Sequence, residues 1–186
     1  PAAWNDFQLR RLQSWGFNTV ANWSEPALYQ AQKMPYVLNL PLPKCPKVGD
    51  IIDVYADEFA AGMADVFGDE FAFAREDPYC VGFFIGNELK FGTATHIGEQ
   101  ALAAKADQPA KRELLRQLQA KYADVAACNA AWMTSFGGWD EWLAAEQPPP
   151  TAAAALADLA QFSRAFAERF LRMSRDAVKR GAPNHL

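Results

Sequence analysis

Asn87 and Glu88 stand side by side at the end of an apolar run, Asp77-Pro78-Tyr79-Cys80-Val81-Gly82-Phe83-Phe84-Ile85-Gly86-Asn87-Glu88-Leu89. A carboxylate beside an amide at such a place can do proton chemistry. The Asp-Pro dipeptide marks a turn, and the run behind it lacks helical spacing, the pattern of a strand buried on both faces. In α/β folds ligands gather at the carboxyl ends of parallel strands, where such a strand delivers Asn87 and Glu88. An apolar sheet beneath a carboxyl group favours its protonated form. A strand-end Glu paired with a surface Lys or Arg leaves the same pattern, and the residues alone keep both readings open.

The elements that must position this pair begin with a helix expected from Asn5 to Trp15, capped by Asn5 and stopped by Gly16. Phe17 to Trp23 then reads as a short strand, and Ser24-Glu25-Pro26 opens a helix that fades by Lys33. Pro35 to Leu40 is the next strand. After a proline-rich loop over Pro41–Pro46, a helix is expected from Glu58 to Phe67, with Phe59, Met63 and Phe67 on its core face. Helix, strand, helix, strand with short connections is βα repetition, which parallel strands require. Three strand ends then carry polar residues to one rim: Asn22-Trp23, Asn39 and Asn87-Glu88. Asn22 and Asn39 are candidates for holding hydroxyls, although Asn at strand ends is also ordinary turn chemistry. Trp23 is a candidate platform for a sugar ring, or a lid on the core.

Beyond Glu88 the pattern changes. Residues 89–150 form an excursion with one clear helix over Ala110–Ala123, whose Leu114, Leu115, Leu118 and Tyr122 share a face. His96, in Gly92-Thr93-Ala94-Thr95-His96, closely follows Glu88 and is a candidate to lean over a cleft. Trp132, Trp139 and Trp142 could wall such a cleft; packing the excursion onto the rest is the plainer reading. Pro148-Pro149-Pro150 breaks the chain, and a long amphipathic helix follows from Thr151 to Arg180. Its last turns carry Arg172, Arg175, Lys179 and Arg180, suited to the negative end of the helix dipole. The pattern stops at Asn184-His185-Leu186, where a next strand is expected to begin.

The 186 residues carry net charge −4 and 51% hydrophobic content, the range of a globular domain with a substantial core. No basic patch stands out, so nucleic acid is not an expected partner. Cys45, Cys80 and Cys128 lack ligand or disulfide spacing, and no metal or cofactor is expected. No run of about 18 apolar residues exists to span a membrane. No signal peptide is visible behind Pro1, and localisation is not readable from the chain.

Leu12-Gln13-Ser14-Trp15-Gly16-Phe17-Asn18-Thr19 and Asn22-Trp23-Ser24 resemble the early strands of the β-agarases of glycoside hydrolase family 50. The run from Asp77 to Leu89 resembles the fourth-strand motif of that family and of the family 42 β-galactosidases. Leu118 to Trp142, with Lys121-Tyr122, Asn129-Ala130-Ala131-Trp132 and Trp139-Asp140-Glu141, is similar to the insertion those families carry after that strand. Lys179 to Leu186 looks like the lead into their fifth strand.

The resemblance implies an α/β fold: a partial (β/α)8 TIM barrel, about strands 2 to 4, in one incomplete domain over 1–186 with 89–150 inserted. It implies that Glu88 is the acid/base of a retaining glycosidase and that Asn87 holds a sugar hydroxyl beside the reacting carbon. The nucleophile would come from a seventh strand outside this chain, so the 186-residue piece alone is expected to be inactive, and poorly stable with its strand edges open. Gly86 departs from the pattern, which more usually has Asp there. The implied partner is a galactose-containing polysaccharide or oligosaccharide, agarose first, with the parent protein exported. A β-galactosidase acting on short galactosides and a non-catalytic carbohydrate-binding half-barrel stay open as alternatives. Asp57, Glu58, Glu99 and Glu141 are expected to be helix-start or solvated acids rather than catalytic ones.

Overall fold

Two strands far apart in sequence pair in parallel, and the rest of the fold follows from the crossovers that this demands. The computed structural model describes residues 2–186. In chain order the first elements are α1 (Ala2–Ser14), α2 (Pro26–Gln30), β1 (Tyr36–Leu40), β2 (Lys47–Val48), β3 (Ile51–Ile52) and α3 (Asp57–Ala64). A 3-10 turn (Ala72–Arg75) precedes β4 (Cys80–Ile85); then come α4 (His96–Ala103), α5 (Pro109–Lys121), α6 (Val125–Trp132), α7 (Trp139–Ala144) and α8 (Ala153–Gly181). The chain divides into two compact units. One takes in everything up to Leu42 with Ala64–Glu88 and Ser174–Leu186; the other holds Pro43–Met63 and Leu89–Met173.

In the first unit β1 lies beside β4. On the other edge of β1, Val20 forms a lone parallel bridge: its amide donates to Pro35 O at 2.8 Å, and it accepts from the Val37 amide at 3.1 Å. On the far edge of β4, Leu186 donates to Val81 O and accepts from the Phe83 amide, both at 3.0 Å. The strand expected over 17–23 is therefore reduced to one bridging residue. Phe17 and Trp23 stay exposed, and Trp23 turns the backbone left-handed at φ +64, so extended pairing cannot continue through it.

The register slips by one between Tyr36 and Val37, which leaves Val81 as the extra residue of a β-bulge. Cys80 and Phe83 thus both join the core face with Tyr36 and Leu38. Gly82 and Phe84 pair with Val37 and Asn39 instead. Val81 and Phe84 are exposed, Phe84 by 56%, which corrects the expectation of a strand buried on both faces. The core of this unit is Leu9 of α1, Val20, Tyr29 of α2, Met34, Tyr36, Leu38, Ala74 and Cys80. Burial pushes the Cys80 thiol up to about 11, so it behaves as a small buried hydrophobe. Helix α1 begins at Ala2, so Asn5 is an interior residue rather than its cap; Gly16, at φ +87, ends the helix as expected.

In the second unit β2 and β3 form a short antiparallel hairpin around Gly49-Asp50, with Gly49 at φ +57, an element the sequence pattern did not announce. Asp57 and Glu58 lie in the first turn of α3, whose Phe59 and Met63 are buried as expected. Along α8, Phe162 and Phe166 pack against Tyr55, and Phe170 packs against Phe59 and Phe91. Gly98 of α4 lets that helix approach α8: a Cβ there would stand 2.7 Å from Leu159 O. Its amide donates to the Ser163 hydroxyl at 2.9 Å. The excursion is more helical than its pattern suggested, with α4, α6 and α7 added to the expected α5. Asp124 caps α6 by accepting from the Ala127 amide at 2.8 Å. Among the described residues no helix is long and apolar enough to cross a membrane.

Candidate active site

Parallel pairing of β1 and β4, with Leu40 opposite Ile85, brings two strand ends together. Asn39 is the penultimate residue of β1. Asn87 and Glu88 follow β4 in a bend, and both are exposed. Two left-handed residues flank Asn87: Gly86 at φ +71 and Glu88 at φ +48. Glycine adopts that conformation freely, whereas a glutamate in it is strained by about 1–2 kcal/mol. The apolar surround expected for Glu88 is absent within this unit, where the residue is exposed. Such strain persists where the surrounding structure imposes it, and it clusters at functional sites.

Trp23 shows the same signature. It is 73% exposed on a left-handed backbone, immediately after Asn22. The Oδ1 atoms of Asn22 and Asn39 are both buried and accept no hydrogen bond among the described residues. A buried amide oxygen without a donor is costly, about 1–3 kcal/mol, and it calls for an O–H or N–H to approach it. Neutral acceptors of this kind suit hydroxyl groups.

His96 opens α4 in the second unit, where its half-buried ring lies over Gly92 so closely that a Cβ on Gly92 would overlap it. Trp132 corrects another expectation. It is only 2% exposed, and its indole N–H donates to Asp158 Oδ2 at 2.9 Å. Asp158 also accepts from Tyr122 Oη at 2.8 Å and from Lys121 Nζ, so Trp132 is core to the helical excursion and offers no face to a sugar. Trp142 is buried beside it, ring centroids 6.1 Å apart. Among the described residues no group of three or more His, Cys, Asp or Glu is placed to hold a metal ion. Sequence reasoning missed Phe84, an exposed aromatic that pairs with Asn39; the glycine at 82 and the bulge before it disguise the alternation that would have revealed its face.

No family model matches the chain. It is 30% identical to β-agarase A of Vibrio sp. (strain JT0107), over 98% of this chain and 21% of that protein. To β-agarase B of the same strain it is 25% identical over the same shares. It superimposes on the structure of an exo-β-agarase with a TM-score of 0.85 and 27% identity, covering 99% of this chain and 27% of that one. The structure of PfGH50B gives 0.87 and 28% over 99% of this chain and 29% of that one. For the agarase AgWH50C the values are 0.86 and 28%, over 100% and 28%.

The chain is β-agarase-like. This β-agarase-like chain spans 21% of the length of the curated relatives it matches, so the match concerns one part of much longer proteins. Glu88, Asn87, Asn39, Asn22 and Trp23 of the β-agarase-like chain all fall in its first unit, and His96 and Trp132 in its second.

Proposed function

We propose that the protein bearing this chain is a retaining glycoside hydrolase of the β-agarase type, and that this chain supplies the acid/base side of its active site. In this reading the chain forms about strands two to four of a (β/α)8 barrel, with 89–150 inserted after the fourth. The substrate is a galactan such as agarose. The observation that supports it best is Asn87-Glu88 standing just past β4, next to the Asn39 end of parallel β1, in a chain alignable with two β-agarases over 98% of its length.

Hydrolysis with retention uses two carboxyl groups about 5–5.5 Å apart. Glu88 protonates the glycosidic oxygen as the bond to the anomeric carbon breaks. A carboxylate supplied by another part of the protein attacks that carbon from the opposite face. Glu88, now ionised, then takes a proton from the water that releases the sugar. Asn87 holds a hydroxyl of the sugar beside the reacting carbon. The orphaned Oδ1 atoms of Asn22 and Asn39 accept from further hydroxyls, and the exposed Trp23 indole stacks on a ring. His96 borders the same loop region in sequence, eight residues after Glu88.

The test is Glu88→Ala in the full-length protein. Agarose turnover should fall by about 10²–10⁴-fold. An aryl glycoside whose leaving group departs without protonation should still form the glycosyl-enzyme, and added azide should restore its turnover as a glycosyl azide of retained configuration. Unchanged agarose turnover removes Glu88 from the chemistry. Turnover confined to short galactosides moves the protein to the β-galactosidase alternative, and sugar binding without any turnover moves it to the binding-module alternative.

A further inference from the structure

A groove of about 730 Å³ lies wholly within the second unit, between the segment that follows Glu88 in the chain and the exposed side of α8. That volume is in the range of small-molecule sites, about 300–1,000 Å³. Its lining includes the apolar groups of Phe91, Ala94, Ile97 and Ala160. It also includes Thr93, Gln161 and Arg164, whose side chains make no hydrogen bond or ion pair among the described residues. No carboxylate lines it.

The walls are held in place from behind. Phe91 packs edge-on against Phe170, with ring centroids 5.9 Å apart. Gly92 takes φ +69 beneath the His96 ring, so any larger residue there would displace the loop. Ser163, also at the groove, is already engaged: it accepts from the Gly98 amide and donates to Leu159 O, which ties α4 to α8. The groove is therefore preformed and offers both unpaired donors and apolar groups. A pyranose has the matching pattern, an apolar C–H face and a rim of hydroxyls.

We propose that this groove is a further binding site for a neutral, galactose-containing oligosaccharide segment, formed by residues other than Asn87 and Glu88 and serving to hold the polymer. The proposal rests on the glycosidase reading above. Phe91 and Ala94 meet the C–H face; Thr93, Gln161 and Arg164 hydrogen-bond the hydroxyls. His96 acts on this site as a positioning residue through Gly92.

The experiment uses the full-length protein carrying Glu88→Gln, so that sugar binds without turnover, and titrates it calorimetrically with an agarose-derived tetrasaccharide. Two further variants alter the groove: Thr93→Val with Arg164→Ala, and Ala94→Trp, which fills it. All three positions are solvent-exposed, and circular dichroism should show an unaltered fold. The expected result is loss of one of two binding events, or a Kd raised about tenfold. In the otherwise native protein the same changes should raise KM for polymeric agarose while kcat on a short aryl glycoside stays unchanged. Tetrasaccharide binding and polymer KM unmoved by both groove variants would overturn the inference and leave the glycosidase reading standing. No tetrasaccharide binding to the Glu88→Gln protein at all would bring down both.

Discussion

The Tyr36 hydroxyl donates to Asp77 Oδ2 at 2.8 Å, joining the first residue of β1 to the turn that launches β4 across 41 positions of sequence. Both side chains are buried. Asp77 also accepts from the Tyr79 amide at 2.9 Å through Oδ1, and its backbone carbonyl accepts from the His185 Nε2–H at 3.1 Å. One aspartate thus fixes the amino-terminal ends of the two paired strands and the tail that follows α8. The Asp-Pro-Tyr that reads as a simple turn in the sequence is the anchor of the sheet at the end opposite Glu88.

Burial works to raise the Asp77 pKa, but the bonds from the Tyr79 amide and the Tyr36 hydroxyl outweigh it and hold the carboxyl below the usual carboxylate range. A carboxylate whose folded pKa is depressed stabilises the fold above its unfolded value, near 3.9, and that stability is lost as pH falls through the folded value. Urea unfolding of the native protein should therefore weaken below about pH 4, and Asp77→Asn should flatten that part of the profile. Tyr36→Phe should cost about 1–3 kcal/mol at pH 7, because it leaves a buried carboxylate oxygen without its donor. An Asp77→Asn profile parallel to the native one would contradict this account.

Lys111 is fully buried in α5, and its Nζ donates to Ala104 O at 2.6 Å and Ala145 O at 2.5 Å, the carbonyls that end α4 and α7. Lys111→Ala should lower stability by about 2–4 kcal/mol by orphaning two helix-end carbonyls. Burial lowers the Lys111 pKa, partly offset by Glu146. The unfolded chain then holds more protons than the folded one between the folded value and about 10.4, so this residue's contribution to stability rises with pH across that window. Thermal midpoints of the native protein and of Lys111→Met, compared between pH 7 and 10, measure it: the native midpoint should gain on the variant's as pH rises.

Two glycines separate steric from conformational cost. At Gly82 an added Cβ would overlap the Leu186 carbonyl, so Gly82→Ala must prise the tail from the edge of β4. At Gly16 nothing lies within 4 Å and only the left-handed φ resists a side chain. Gly16→Ala should cost about 1 kcal/mol, and Gly82→Ala about 1–3 kcal/mol with earlier proteolysis after α8. Equal costs, read from denaturant midpoints, would mean that the tail does not seat on β4.

Asn39→Leu should trade function for stability. The substitution removes a buried oxygen that has no donor, so the protein should gain up to about 1 kcal/mol. Agarose turnover should fall if that oxygen accepts a substrate hydroxyl. A variant that is both less stable and fully active would refute the role given to Asn39.

Trp23 offers a matched pair. Trp23→Gly relieves the left-handed strain and Trp23→Ala keeps it, so the glycine variant should be more stable than the alanine one by about 1 kcal/mol. Both lose the indole, so under the proposed function both should raise KM for agarose alike. A KM that follows stability instead would show that Trp23 acts through the backbone.

Local chemistry was enough to outline much of this chain. Gly16 as a left-handed stop, Pro26 opening α2, the period of Phe162, Phe166 and Phe170, and the apolar runs of β1 and β4 are each written within a few residues. The same locality put Asn39, Asn87 and Glu88 at strand ends. What the pattern could not specify depends on partners distant in sequence. Strand pairing decided that 17–23 keeps a single bridge and that Val81 bulges, which moved Phe83 to the core and Phe84 to the open face. Nothing in the sequence marks Lys111 as buried, and only the meeting of two helix ends around it makes its burial tolerable. Trp132 was drawn inward because Asp158, on a helix that begins 21 residues later, offers its indole an acceptor. Side-chain periodicity is a property of one segment, whereas register, burial of charge and backbone strain arise only when segments pack against each other.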